Sequence, residues 1–243
     1  MNILLICGKF SILAVPFIKE FKKKFPDDNL VVFVVTPFKE GNSLIHILKK
    51  NRFGYLARKG MQLVNMYVRS ILCKMLPIAP RYVPESLYFY KAKHYFINDI
   101  NAQDAIDLIK KQKTDLLITY DCGQILKKDA IMASSIASLN VHSSLLPKYR
   151  GTAPIYWVLK NKEKETGVTI HFIDEGIDTG DIILQNRIAI NPGMSERTLT
   201  KAIAQLGAES IFTAIRLFKD GNIRRVKQDS TYATYYSNIK RVY

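Results

Sequence analysis

At 243 residues and 48% hydrophobic content, the chain can bury a full core and has the composition of an ordinary soluble protein. It holds no apolar run of the length a bilayer span requires, and its three cysteines, Cys7, Cys73 and Cys122, are too few and too scattered for a disulfide frame or a zinc site. A formal net charge of +15 calls for an anionic partner or a solvated basic surface, without choosing between them.

In chain order, "NILLICG" reads as a buried strand that turns into an amphipathic helix, "FSILAVPFIKEFKKKF". This opening is Rossmann-like, yet it carries one glycine, Gly8, where a dinucleotide fingerprint uses three, so it does not point to a nicotinamide or flavin dinucleotide. The start "MNILLICGKF" lacks a basic leader and a small-residue cleavage site, and a cytoplasmic setting is expected. "NLVVFVVT" is a second strand. Residues 41–77 form a long basic amphipathic pattern, expected as a helical insertion; its sharper reading is a helix lying on anionic lipid, a peripheral membrane contact. The Tyr-rich run from Arg81 to Asp99 offers aromatics for core packing or for stacking on a base.

"NAQDAIDLIKKQK" has helical spacing, and "TDLLITYD" is a further strand. This alternation predicts an α/β protein: a Rossmann-like, mostly parallel sheet with helices on both faces. After Gly193, "SERTLTKAIAQLGAESIFTAIRLFKDG" is a helix with Ser195 as N-cap. The terminal "NIRRVKQDSTYATYYSNIKRVY" alternates like a β-hairpin, whose exposed edges need cover, so a homodimer through this hairpin is expected. The expected division is a catalytic unit over 1–192, with the insertion near 41–77, and a helix-hairpin extension over 193–243.

The run from Leu139 to Asp181 carries the chemistry. Asn140 and His142 sit two apart at the end of a β-prone stretch and so project from one face. "GVTIHFID" is a second strand, followed by the glycine-bracketed acidic loop "EGIDTGD" with Asp178. In an open parallel sheet, sites lie outside the carboxyl ends of strands, where the two clusters can converge. A carboxylate beside an imidazole fixes its tautomer, and an Asn amide offers donors to a developing oxyanion. Together they suit attack of an amine on an acyl carbon: His142 moves protons, Asp178 holds His142 and Asn140 stabilises the oxygen. No metal is called for. His171, mid-strand in "VTIHFI", reads as a packed or edge histidine, and His46 and His94 are assigned nothing.

"NVHSSLLPKYRG" followed by "DEGIDTGD" resembles the formyltransferase family, whose pattern is Asn-x-His-x-Ser-Leu-Leu-Pro and then an Asp in a Leu/Ile-Asp-Thr/Ala-Gly loop. The resemblance is dense from about Asp115 to Gln185. It implies 10-formyltetrahydrofolate as co-substrate and Asn140, His142 and Asp178 as the catalytic trio. In the family's register, Gln124, Ile125 and Leu126 fall on the loop that cradles the pterin ring, and Ile177 and Thr179 close the other side. "RGTAPI" is shared with methionyl-tRNA formyltransferases, which continue into a second, barrel-like domain for which this sequence has no room. The stretch through Trp157 and "TGVTIH" looks most like sugar N-formyltransferases. The expected acceptor is therefore a nucleotide-linked, dTDP-type amino-deoxysugar for surface polysaccharide, with Arg150 and Trp157 as contacts and no nucleic-acid partner. The alternatives are a methionyl-tRNA formyltransferase-like enzyme, or a non-catalytic membrane-surface or interaction protein that keeps the fold.

Overall fold

The computed structural model describes residues 1–36 and 80–237, with isolated positions between 61 and 72. In chain order the first elements are β1 (Asn2–Gly8), α1 (Val15–Lys24), β2 (Asn29–Val35), α2 (Val83–Phe89), β3 (Lys93–Ile97), α3 (Gln103–Lys111) and β4 (Leu116–Tyr120). They continue through α4 (Lys128–Ile131), β5 (Ala137–His142), β6 (Arg150–Gly151), α5 (Pro154–Lys160) and β7 (Glu165–Phe172). Last come β8 (Ile182–Ala189), α6 (Glu196–Lys219) and β9 (Tyr235–Tyr236).

β1 is buried from Ile3 to Cys7 because it has a core on each side. Ile3, Leu5 and Cys7 enter one cluster and Leu4 and Ile6 the other, as alternation along a strand requires. Helices α1 and α6 cover the first face, where Phe17 stacks on Phe212 with ring centroids 5.2 Å apart. The second face takes Ile106 and Ile109 of α3. Ser195 caps α6 as its sequence predicts, its hydroxyl accepting from the Thr198 N–H at 3.1 Å. Within α6, Gly207 leaves room for the buried Tyr120 ring, whose hydroxyl donates to the Ile203 carbonyl at 3.1 Å.

The sheet has seven strands in the order β3-β2-β1-β4-β5-β7-β8. Five run parallel, and β7 pairs antiparallel with both β5 and β8. Strand order reverses at β1, which lies between β2 and β4, and the crevice beyond β1 and β4 is the expected ligand position of such a sheet. The Tyr-rich run supplies α2 and β3, and Tyr95 packs edge-on against Phe33. Tyr82 is buried and Tyr95 packs against the core, while Tyr88, Phe89 and Phe96 stay exposed; the strand itself was not anticipated.

The C-terminal segment departs from expectation. Val226 bridges Ile182, residues Ser230–Tyr232 form a 3-10 turn, and β9 lies parallel to β6. Among the described residues there is no terminal hairpin: the segment returns to its own domain, and the edge argument for a homodimer loses its basis. Apart from isolated positions between 61 and 72, the 41–77 insertion and its membrane contact lie outside the described residues, as do His46 and Cys73.

Candidate active site

Cross-strand register builds the site. Thr119 of β4, Asn140 of β5 and His171 of β7 are in-register neighbours on three adjacent strands. The Thr119 hydroxyl donates to Asn140 Oδ1 at 2.7 Å, which turns the amide nitrogen the other way. Asn140 Nδ2 then lies 3.0 Å from His171 Nε2 and 3.0 Å from Asp178 Oδ1. His171 Nδ1 meets the Phe172 carbonyl at 2.8 Å, so Nδ1 carries the ring proton and Nε2 accepts from Asn140. Both amide hydrogens of Asn140 are thus engaged, and a reacting oxygen must displace one of these acceptors.

His142, two residues along the same face, is buried beside them. Its Nε2 stands 2.7 Å from the Tyr149 carbonyl, and only an N–H can meet a carbonyl oxygen there. The lone pair of the neutral ring is therefore at Nδ1, facing Asp178 Oδ2 at 3.6 Å. That distance is too long for a hydrogen bond, so the tautomer is set by Tyr149 and not by Asp178, contrary to the role the sequence suggested. A proton arriving at Nδ1 would meet the carboxylate.

Asp178 sits in the left-handed region at φ 54°, a conformation Asp tolerates better than most residues. Its loop leaves β7 beside Ser138, with Ile173 N–H on the Ser138 carbonyl at 2.9 Å, and folds back toward Asn140. Oδ2 accepts from the Gly151 N–H at 2.8 Å. Gly151 has φ 96°, and a Cβ there would run into the Tyr236 carbonyl, so β6 needs glycine at this position.

Burial pushes the His142 imidazole below its ordinary value, outweighing the pull of Asp178. Burial also opposes ionisation of Asp178, but a charge on His142, the nearby His171 ring and the Gly151 N–H prevail and hold it at about 2. The His142 contribution exists only while that ring is protonated. At neutral pH the ring is uncharged, and the N–H groups of Gly151 and Asn140 keep the carboxylate ionised.

These groups line a cleft of about 740 Å³ between the segments that follow β1, β4, β5 and β7. Gln124, Ile125, Leu126 and Ile177 line it too, and Ile125 and Ile177 are large apolar side chains left 64% and 38% exposed. The Gln124 amide braces the adjoining loop, accepting from Ile100 N–H at 3.0 Å and donating to the Asn98 carbonyl at 2.7 Å.

Three sequence-derived candidates lie elsewhere. Thr179 staples its own loop by donating to Asp174 Oδ1 at 2.6 Å. Arg150 turns to Gln228 Oε1, with Nη2 at 2.8 Å and Nε at 3.2 Å. Trp157 packs on Tyr236, 4.6 Å between ring centroids, under the Lys160 ammonium. Neither Arg150 nor Trp157 is among the cleft residues, because both are engaged with the C-terminal segment.

Sequence reasoning passed over Thr119, the Tyr149 carbonyl and the Gly151 N–H, and it read His171 only as a packed or edge histidine. A histidine inside the apolar strand "VTIHFI" was a signal for His171, but its pairing with Asn140 depends on register. Backbone groups carry no sequence signal.

A family model described as Formyl transferase matches residues 73–215. The chain is 41% identical over 143 residues to the methionyl-tRNA formyltransferase of Methylacidiphilum infernorum, covering 59% of this chain and 45% of that one. It is 36% identical over 165 residues to the methionyl-tRNA formyltransferase of Syntrophomonas wolfei, covering 68% and 52%. The chain thus spans about half the length of these relatives. Among solved structures, the N-formyltransferase from Helicobacter canadensis, in complex with folinic acid and dTDP-3-aminofucose, superposes with a TM-score of 0.63. It is 22% identical, with 98% of this chain and 71% of that one covered, which speaks for the fold alone. The expectation of a nucleotide-sugar acceptor is overturned here: the sugar enzyme is a distant fold relative, while relatives at 36% and 41% identity are tRNA enzymes. The expectation of no nucleic-acid partner loses its support with it. From the matched span, the chain belongs to the formyl transferase family.

Proposed function

We propose that this chain transfers a formyl group from 10-formyltetrahydrofolate to the amino group of methionyl-tRNA. The observation that carries the reading is the named identity to methionyl-tRNA formyltransferases, with the Asn140, His142 and Asp178 network inside the family-matched span. When bound, the folate supplies a formyl carbon at the amide oxidation level. A flat ring system suits an apolar slot, and the exposed Ile125 and Ile177 side chains on one cleft are groups such a ring would cover.

The chain's own residues account for the remaining steps. His142, neutral at rest, takes up at Nδ1 the proton that the attacking amine must lose, and Asp178 steadies the imidazolium. Asn140 turns one amide hydrogen from His171 or Asp178 to the formyl oxygen as charge develops there. The proton held at Nδ1 then passes to the folate nitrogen as its bond to the formyl carbon breaks, which frees tetrahydrofolate and restores the neutral ring. Asp174 and Glu196 also line the cleft, a potential that favours an amine over an anionic nucleophile. The net charge of +15 favours a polyanion on the molecule as a whole.

The test incubates the chain with 10-formyltetrahydrofolate and methionyl-tRNA and reads formylmethionine by mass spectrometry after hydrolysis of the ester. Formylmethionine that depends on both substrates is expected. An unmodified tRNA alongside formylation of a different amine, such as glycinamide ribonucleotide, would overturn the acceptor and keep the chemistry.

A further inference from the structure

The C-terminal segment that failed to form a hairpin touches the site at several points. The Tyr149 N–H donates to Thr234 Oγ1 at 2.8 Å, and the Tyr149 ring stacks on Tyr236 at 5.2 Å. Tyr149 is the residue whose carbonyl orients His142. On the other side of the site, Val226 and Ile182 exchange two backbone hydrogen bonds, at 2.8 and 2.9 Å, just past the Asp178 loop.

Gln228 lies between these two attachments and uses both ends of its amide. Nε2 donates to the carbonyls of Asp178 at 2.9 Å and Gly180 at 2.8 Å. Oε1 accepts from Arg150 Nη2 and Nε, and Arg150 precedes the Gly151 N–H that holds Asp178 Oδ2. Asp178 is thereby gripped at Oδ1 by Asn140, at Oδ2 by Gly151 and at its main-chain carbonyl by Gln228.

We propose that Gln228 is a positioning residue for formyl transfer: its amide N–H groups clamp the Asp178 loop in the geometry that faces His142, while its oxygen locks the clamp to Arg150. The proposal rests on the formyl-transfer reading above for its catalytic part. Its structural part stands on the hydrogen bonds alone.

The deciding variant is Gln228→Glu. A carboxylate keeps the acceptor for Arg150, so the segment stays tethered, but it has no N–H for the two carbonyls. Gln228→Ala removes both ends. Two readouts are taken on the full chain: deuterium uptake by the peptide spanning 173–182, and kcat, KM and the pH–rate profile for transfer to methionyl-tRNA.

For Gln228→Glu, faster exchange confined to 173–182 is expected. With it, kcat should fall about tenfold or more while KM for the folate stays within about twofold, because a small misplacement of a catalytic group acts on turnover. The acid limb of the profile should also move, since the carboxylate no longer sits at a fixed distance from His142 Nδ1. Exchange and kcat like those of the unsubstituted chain would overturn the proposal, as would faster exchange with unchanged kcat. A defect in Gln228→Ala that Gln228→Glu fully repairs would show that only the Arg150 tether matters, and would also overturn it. If the unsubstituted chain formylates no tRNA, the functional reading falls separately, and unchanged exchange in both variants would still reject the clamp.

Discussion

His142 has its proton on one partner and its lone pair on another, and that division sets what each nearby residue can do. With Nε2–H committed to the Tyr149 carbonyl, Nδ1 is the nitrogen available for proton transfer. His142→Ala is expected to lower kcat at least about a hundredfold while leaving folate binding in place, checked by steady-state kinetics beside a folate titration. A variant with near-normal turnover would remove the ring from the mechanism.

The pH dependence follows from the same burial. The folded imidazole sits below its ordinary value, so as a base it stays active into mildly acid solution, and the acid limb of kcat/KM should have its midpoint below about 6.5. In the unfolded chain the ring takes up its proton first, so this group's contribution to stability is complete above about 6.5 and is lost as pH falls below that value. For Asp178, held at about 2, the contribution is present above the ordinary carboxylate range and is lost as pH falls through about 2. Chemical denaturation across about pH 1.5 to 8, together with NMR titration of the His142 ring, measures both. A ring that titrates above about 6.5 would contradict the assigned burial effect.

At the scale of elements, the site depends on three strands meeting in one register. Thr119, Asn140 and His171 form a row only because β5 lies parallel to β4 and antiparallel to β7. A one-residue slip would send Asn140 and His142 to the opposite face. Helix α6 packs across α1 and β7, and its register is set at its first residue by the Ser195 cap. Ser195→Ala should cost about 1 kcal/mol in denaturant unfolding, with turnover unchanged, because the cap lies outside the catalytic hydrogen bonds. A loss of turnover without a loss of stability would point to a role for the helix start in substrate binding, where Glu196 and Thr200 line the cleft.

For the whole molecule, the basic charge and the acidic groups on the cleft serve different parts of the proposed acceptor, the charge meeting phosphates and the cleft meeting the amine. Binding to methionyl-tRNA should therefore weaken steeply with salt. Three phosphate contacts already give roughly a twenty- to fortyfold loss between 50 and 200 mM monovalent salt. Fluorescence titration with labelled tRNA at several salt concentrations reads the slope. A flat dependence would leave the net charge as a solvated surface.

Much of this protein was legible along the chain, because burial leaves a periodic trace. The unbroken apolar run "ILLIC" required a strand covered on both sides, the alternation of strands and helices required the layered sheet, and the spacing of Asn140 and His142 required a shared face. The joining of distant segments left no such trace. Asn140 meets residues 31 and 38 positions away, and Gln228 reaches back 50 to the Asp178 carbonyl. Periodicity reports that a side chain is buried but not what it is buried against. The strand direction of β7, the turning of Arg150 and Trp157 away from the cleft, and the return of the C-terminal segment onto β6 were therefore decided only by tertiary packing. So was the carbonyl that orients His142: a backbone group is chemically the same at every residue, and only the fold selects which one faces the imidazole.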